Sequence, residues 1–460
     1  MATKKKIKDF TYPTPTNQKS PFRYDELFFS VTDPKSNITF ANEVFVRVSK
    51  YNNDEIIGQL HKLIRHPDMP RAVFKIFWDY LKADKPVAAY VKNLAKDGSY
   101  YWVMALAFPC EGGYLSIRLK PGGPFFEKIK SYYAKTLAFE KKKESEVGKR
   151  KAMEASQEYL MDLLREEGFE NYEEFMWNAL QVEMHHRENT VGSSIEQIND
   201  GDADNIPPSL LKLEPILRDL VISLKKLKQI HEGLVEHSNY ILKLARSILF
   251  MSLNAQVGSA KLDQDDVALS VIAESIGDQS KDGEEKLITM KGNIHNLSDL
   301  IGKLNFNIVS SKLQVEMTIE FLKEIDEGRY KDKNMEISSD EVLDILYDAF
   351  VPRLDTVAEH LGQLPEYLNN LTKDLENIDR FLVALRLIHT SGKIEVARLN
   401  DKTGSFTNTF KELIKEVETA QGHLDQLSSL VQKNRSTGAM CKRMQKKIDK
   451  LIQRVNGESA

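Results

Sequence analysis

Arg65, His66 and Asp68 fall in one six-residue run, Arg65-His66-Pro67-Asp68-Met69-Pro70, and Phe74 and Trp78 follow it. A guanidinium and an imidazole side by side can meet an anionic group. Aromatic residues four apart share a helix face, where they can wall a flat ligand or fill a core. Plainer readings stand beside these. Arg65 and Asp68 can pair across a turn, His66 taken alone is a structural histidine, and Trp78 suits a core as well as a ligand. Elsewhere the chain lacks the motifs of common catalysts. It has no nucleophile elbow, P-loop, kinase signature or zincin motif. No diguanylate-cyclase run and no histidine-kinase ATP-binding glycine boxes are present. The chain therefore reads as a non-enzyme whose output is conformational. His185 and His186 are adjacent and so lie on different helix faces, which does not suit a metal pair.

The elements that must hold this run can be read around it. A strand ends at Ala41-Asn42, and short helical pieces follow. Two β-rich runs, 87–94 and 99–107, meet at Ala95-Lys96-Asp97-Gly98, and 113–119 forms a last strand. Asp-Gly between such runs predicts a hairpin, because the turn needs positive φ and glycine supplies it. The order RHPDMP, F-x-x-x-W, V-K-N and G-x-x-Y-W resembles a PAS sensor domain, and within that superfamily the FAD-binding PAS domain of bacterial aerotaxis receptors. The likeness runs over roughly residues 20–120.

This resemblance implies FAD as cofactor, with Asn42, Arg65, His66, Asp68, Phe74, Trp78 and Asn93 at the site. Their types suit the ligand. An isoalloxazine is planar and apolar with one polar edge. Phe74 and Trp78 can wall it, and Asn42 and Asn93 can donate and accept at its edge. Arg65 and His66 can meet the pyrophosphate or a reduced, anionic flavin. Some PAS domains bind haem instead, and His61 or His66 could ligate it. No C-x-x-C-H motif is present, so any haem would be non-covalent.

Composition narrows the class. The 460 residues carry 64 basic and 68 acidic side chains, a net charge of −4, so no global basic field points to nucleic acid or membrane. Two cysteines, Cys110 and Cys441, lie far apart, which argues against a disulfide framework and suits a reducing cytoplasmic setting. No apolar run approaches the ~18 residues of a transmembrane helix. The N-terminus has charge without an apolar core behind it, unlike a signal peptide. Residues 1–20 read as a disordered tail, 21–120 as the sensor domain, 121–187 as a helical connector and 188–208 as a linker. Asn171 and Glu174 resemble a capping box opening a helix.

Beyond the linker the period changes to that of an all-α bundle or coiled coil. Leu213, Leu220, Leu227, Leu234, Ile241 and Ile248 recur every seven residues, and a similar seam runs from Phe406 through Phe410, Leu413, Val417, Ala420, Leu424 and Leu427 to Val431. The expected fold is thus an α+β PAS domain, with a five-stranded antiparallel sheet and flanking helices, followed by long helices. Pro352 and Pro365 predict an irregular start or a kink.

Two segments of this half are similar to the hairpin tip of methyl-accepting chemotaxis receptors. In the first, Leu253, Asn254, Ala255, Val257, Ala260, Val271, Ile272 and Ala273 fit, while Gly258, Lys261 and Gln264 replace charged positions. In the second, Ile394, Glu395, Ala397, Arg398, Asp401 and Phe406 fit, so Glu395, Arg398 and Asp401 are the expected partner-binding residues. Two hairpins in tandem follow, 209–330 and 331–460, able to bury each other's seams as an intramolecular pseudo-dimer. The resemblance implies a redox or oxygen sensor that acts on a chemotaxis coupling protein, histidine kinase or receptor array. The signal would leave through the helices after Phe125. Missing membrane anchor, missing HAMP unit and one altered tip set the chain apart from that family. A scaffold with a cofactor-free PAS domain is the other reading.

Overall fold

The computed structural model describes residues 12–192, 206–259, 267–329, 337–399, 404–433 and 435–458. Five strands, β1 (Phe28–Thr32), β2 (Ile38–Ala41), β3 (Val87–Leu94), β4 (Tyr100–Cys110) and β5 (Gly113–Leu119), form one sheet in the order β2-β1-β5-β4-β3. Every neighbouring pair is antiparallel. The strand expected at 99–107 runs on to Cys110 because its register with β5 holds as far as Cys110 opposite Gly113. Between β2 and β3 lie α1 (Glu43–Ser49), α2 (Asn53–Ile56), a 3-10 turn (His61–Ile64) and α3 (Arg71–Lys82).

Local chemistry sets these boundaries. Asn42 caps α1, its side chain accepting from the Phe45 N–H. Pro70 precedes α3 and cannot continue the helix backwards. At the hairpin tip Gly98 has φ +84°, and Asp97 Oδ1 accepts the Ser99 N–H at 3.0 Å. A Cβ at Gly98 would meet the Thr14 carbonyl oxygen at 2.2 Å, so glycine also admits a second segment here. That segment lies within the stretch read as a tail. Thr16 N–H donates to Gly98 O, Tyr100 N–H to Gln18 O and Ser20 N–H to Tyr100 O, all within 2.9 Å.

Alternation along the strands gives the sheet two apolar faces. On β5, Tyr114, Ser116 and Arg118 alternate with the fully buried Leu115, Ile117 and Leu119. The first set faces α3, and the second joins the core on the opposite side.

Behind the sheet come α4 (Pro124–Val147), α5 (Lys149–Glu166) and α6 (Tyr172–Val191). Asn171 caps α6, but Glu174 reaches back to the Glu170 N–H rather than to Asn171 itself. The long helices are α7 (Pro208–Ser259), α8 (Val267–Asp326), α9 (Ser339–Leu399), α10 (Gly404–Lys433) and α11 (Arg435–Glu458). Helix α9 runs without a break through Pro352 and Pro365. Its start is set by Ser338 and Glu341, which cap each other's backbone N–H.

The chain divides into two compact units. The first comprises 1–221, 305–357 and 448–460. Its core joins both faces of the sheet to α4–α6 and to Phe306, Val309, Leu313, Met317 and Phe321 of α8. The second comprises 222–304 and 358–447. It buries Leu361, Leu364, Leu371 and Leu382 of α9 and Leu413, Val417, Ala420 and Leu427 of α10, a spacing of three and four. His237 on α7 meets His423 on α10, Nδ1 to Nδ1 at 2.9 Å, as a polar layer within it. Among the described residues no helix is long and apolar enough to cross a membrane.

Candidate functional site

A cavity of about 310 Å³ lies between α3 and the sheet face that carries Tyr114, Ser116 and Arg118. Val73, Phe74, Phe77, Trp78 and Leu81 of α3 form one wall. Val91 and Asn93 of β3, Ala105 and Ala107 of β4, and the three β5 residues form the other. The alanines leave room that larger residues would fill. Trp78 and Tyr114 meet edge to face across it, 5.3 Å between centroids.

The charge in this wall is all of one sign. Lys35, Lys62, Arg65 and Arg118 line the cavity, with His61, and none of the described lining residues is a carboxylate. Lys35 and Lys62 are exposed, whereas Arg118 is only 2% exposed. Arg118 Nη2 donates to Ser30 Oγ at 3.1 Å and to His61 Nε2 at 2.5 Å, and its Nη1 donates to Ser116 O. His61 must therefore accept on Nε2 and carry its proton on Nδ1. Burial, together with the fields of Arg118 and Arg65, holds the His61 pKa well below its usual value. Burial also pulls the Arg118 guanidinium down to about 10. Arg65 stacks on the Phe74 ring at 3.5 Å, and its buried Nε has no hydrogen-bond partner.

Four of the residues expected at the site line this cavity together: Arg65, Phe74, Trp78 and Asn93. Asn93 and Arg65 are also joined by an isolated antiparallel bridge. The other three lie elsewhere. Asn42 is fully buried as the cap of α1, and its Nδ2 donates to Glu324 Oε1 of α8 at 2.8 Å. His66 is buried behind the wall, its Nδ1 accepting the Asp68 N–H at 3.1 Å. Burial lowers its pKa to about 4, with Lys92 adding and Asp68 opposing, so it is neutral near pH 7. Asp68 is 61% exposed and pairs with Lys92 at 2.6 Å.

Sequence reasoning missed Arg118, Tyr114 and Phe77. The signal for Arg118 was present: an arginine at the sixth of seven alternating residues of a buried strand has little reason to be there unless it faces something. At the far end of α9, Glu395 and Arg398 pair with each other at 2.6 Å, with Arg398 exposed. Asp401 lies outside the described residues, as do Lys261 and Gln264 of the other tip.

Comparison with known proteins agrees with this layout. A family model described as PAS fold matches residues 38–113. The aerotaxis receptor of Escherichia coli is 45% identical over 115 residues, 24% of this chain and 23% of that protein. A biofilm dispersion protein of Pseudomonas aeruginosa is 29% identical over 82 residues, 18% of this chain and 20% of that protein. Among solved structures, the light state of the blue-light photoreceptor Aureochrome1 LOV shares 23% identity, covers 23% of this chain and 88% of that chain, and has a TM-score of 0.20. The chain spans less than a quarter of the length of these curated relatives. The N-terminal sheet and its helices are thus a PAS domain, similar in sequence to the one in the aerotaxis receptor, and long helices follow it.

Proposed function

We propose that this chain is a cytoplasmic redox or oxygen sensor. Its PAS domain binds FAD, and its long helices carry the signal to a protein partner without catalysis. One observation supports this above the others. The cavity combines aromatic walls with four cations and no carboxylate among its described lining residues. A buried, uncompensated guanidinium is costly, and an anionic, aromatic ligand would offset that cost. The residues fit FAD by type. Phe74, Phe77, Trp78 and Tyr114 would flank the ring system, and Asn93 and Arg118 would hydrogen-bond its polar edge. Arg65, with its free Nε, and the exposed Lys35 and Lys62 would hold the phosphates. The bound flavin would supply reversible electron uptake. The chain's own part is to change its hydrogen bonds as the charge beside Arg118 changes.

The partner reading is narrower. Glu395 and Arg398, with Asp401, would meet a chemotaxis coupling protein or kinase, and the tandem hairpins would form an intramolecular bundle. A haem reading is less well supported, because the Nε2 lone pair of His61 is already engaged by Arg118.

The test is an absorption spectrum of the purified full chain, followed by chromatography of the supernatant after denaturation. FAD is expected, and Trp78→Ala should lose it while Trp177→Ala retains it. Absence of flavin even after reconstitution with excess FAD would remove this reading. A Soret band would replace it with haem, and a colourless, folded protein would favour the scaffold.

A further inference from the structure

The sequence suggests that a signal leaves the PAS domain through the helices after Phe125. That exit is firmly tied. Glu183 of α6 accepts the N–H groups of Gly122 and Gly123 at 2.7 and 2.9 Å and the Tyr90 hydroxyl at 2.8 Å, all on one buried carboxylate. Neither Tyr90 nor the glycines line the cavity.

A different line of contacts does begin at the cavity. Arg118 lies 5.1 Å from the centre of the Phe45 ring, and the His61 ring meets the same phenylalanine edge to face at 6.3 Å. Phe45 is in the first turn of α1, and its N–H donates to Asn42 Oδ1 at 3.3 Å. The same oxygen accepts the Phe29 N–H of β1 at 3.0 Å. With its carbonyl committed to α1 and β1, Asn42 has its amine left, and that amine goes to Glu324 Oε1. Glu324 Oε2 accepts the Glu43 N–H at 3.4 Å, so one carboxylate of α8 also caps α1 from outside. One turn earlier on α8, Phe321 presents its edge to both Phe29 and Phe40, at 5.3 and 5.4 Å.

We infer that α8 is the output element of the PAS domain, and that the joint of Asn42, Glu324 and Phe321 transmits the state of the cavity to it. The inference rests on the cavity being a ligand site, and concerns how its state leaves the domain. Asn42 is the only link in this line that must both accept and donate. A shift of α1 driven by Arg118 or His61 against Phe45 moves the cap, and the cap holds α8. Glu324 is poised for this. Burial raises its pKa to about 7, Asn42 and the Glu43 N–H oppose the rise, and the charges of Arg329 and Glu43 act on it with opposite sign.

Hydrogen–deuterium exchange on the full chain at pH 8 tests the joint. Asn42→Asp keeps the cap acceptor but sets a carboxylate against Glu324. Protection of 316–326 should fall tenfold or more, with α10 unchanged. The double variant Asn42→Asp/Glu324→Gln restores a donor–acceptor pair and should return protection to within about twofold of wild type. Unchanged protection in the single variant, or no rescue in the double, would overturn the joint whether or not a flavin is bound. The second arm compares oxidised and dithionite-reduced, flavin-loaded protein. Protection of 316–326 should change at least threefold in wild type. In Glu324→Ala, whose change lies outside the cavity, the flavin should still bleach but 316–326 should not respond. Bleaching in wild type without a response in α8 would overturn α8 as the output. Failure to load any flavin would defeat the ligand reading alone, and the first arm would still decide the joint.

Discussion

Two groups of buried charge within one folding unit are balanced in different ways. On α6 and α8, Arg187 meets Glu316 at 2.5 Å, and Lys312 meets Glu316 at 2.5 Å and Glu188 at 2.9 Å. Arg187 donates further to the carbonyls of Tyr24 and Asp25. Each cation there has a carboxylate, so the cluster is internally complete. In the PAS cavity the cations outnumber their partners, since none of the described lining residues is a carboxylate. A buried charge must be compensated by something. Where the protein supplies the counter-charge the cluster is architecture, and where it does not, the reading proposed above has a ligand supply it.

The largest effect should come from breaking the balanced cluster. Glu316→Ala leaves Arg187 and Lys312 buried without their shared carboxylate and should cost about 3–5 kcal/mol, read from denaturant unfolding of the first unit. A loss below ~1 kcal/mol would mean that solvent already screens the cluster. Arg118→Met should do the reverse. Flavin affinity should fall at least tenfold while the ligand-free protein keeps its midpoint or gains by up to about 2 kcal/mol. A variant that binds flavin normally would erase the contrast between the two regions.

The two carboxylates of α8 sharpen it through pH. Burial pushes Glu316 up, but Arg187 and Lys312 outweigh that and hold it at about 2. Its contribution is present above the ordinary carboxylate value of about 4.5 and is lost as pH falls toward 2. Glu324, raised to about 7, behaves oppositely: its contribution is present below about 4.5 and is lost as pH rises through 7. Glu324→Gln should therefore gain on wild type by about 1–3 kcal/mol between pH 5 and 8, whereas a flat difference would place Glu324 in water. The smallest effect is expected at the cavity rim. Lys62→Gln should weaken flavin binding by only twofold to fivefold, and added salt should remove the difference.

What the sequence disclosed follows the same division. Strand ends at 87–94 and 113–119, the Asp97-Gly98 turn and the Asn171 cap were legible because each rests on chemistry within a few residues. Arg65, Phe74 and Trp78 of the cavity were legible because they lie in one short stretch of chain, although Phe77 within it was passed over. Of the opposite wall only Asn93 was legible, through the V-K-N run; Tyr114 and Arg118 were not, because they reach the site through strand pairing. Asn42 shows the limit most clearly. Its residue type fitted a ligand's polar edge, but its amine is taken by a helix whose proximity no local pattern announces. The tail residues 12–20 owe their placement to backbone bonds with Gly98 and Tyr100, which composition does not encode.

The bond from Asn42 to Glu324 spans 282 positions in the chain. At typical elongation rates of about 5–20 residues per second, the last PAS strand leaves the ribosome roughly 10–40 s before Phe321, which covers Phe29 and Phe40. Through that interval the nascent sheet presents an uncovered aromatic face, so translation speed and holding chaperones should govern the yield of this protein more than they govern a self-contained sensor domain.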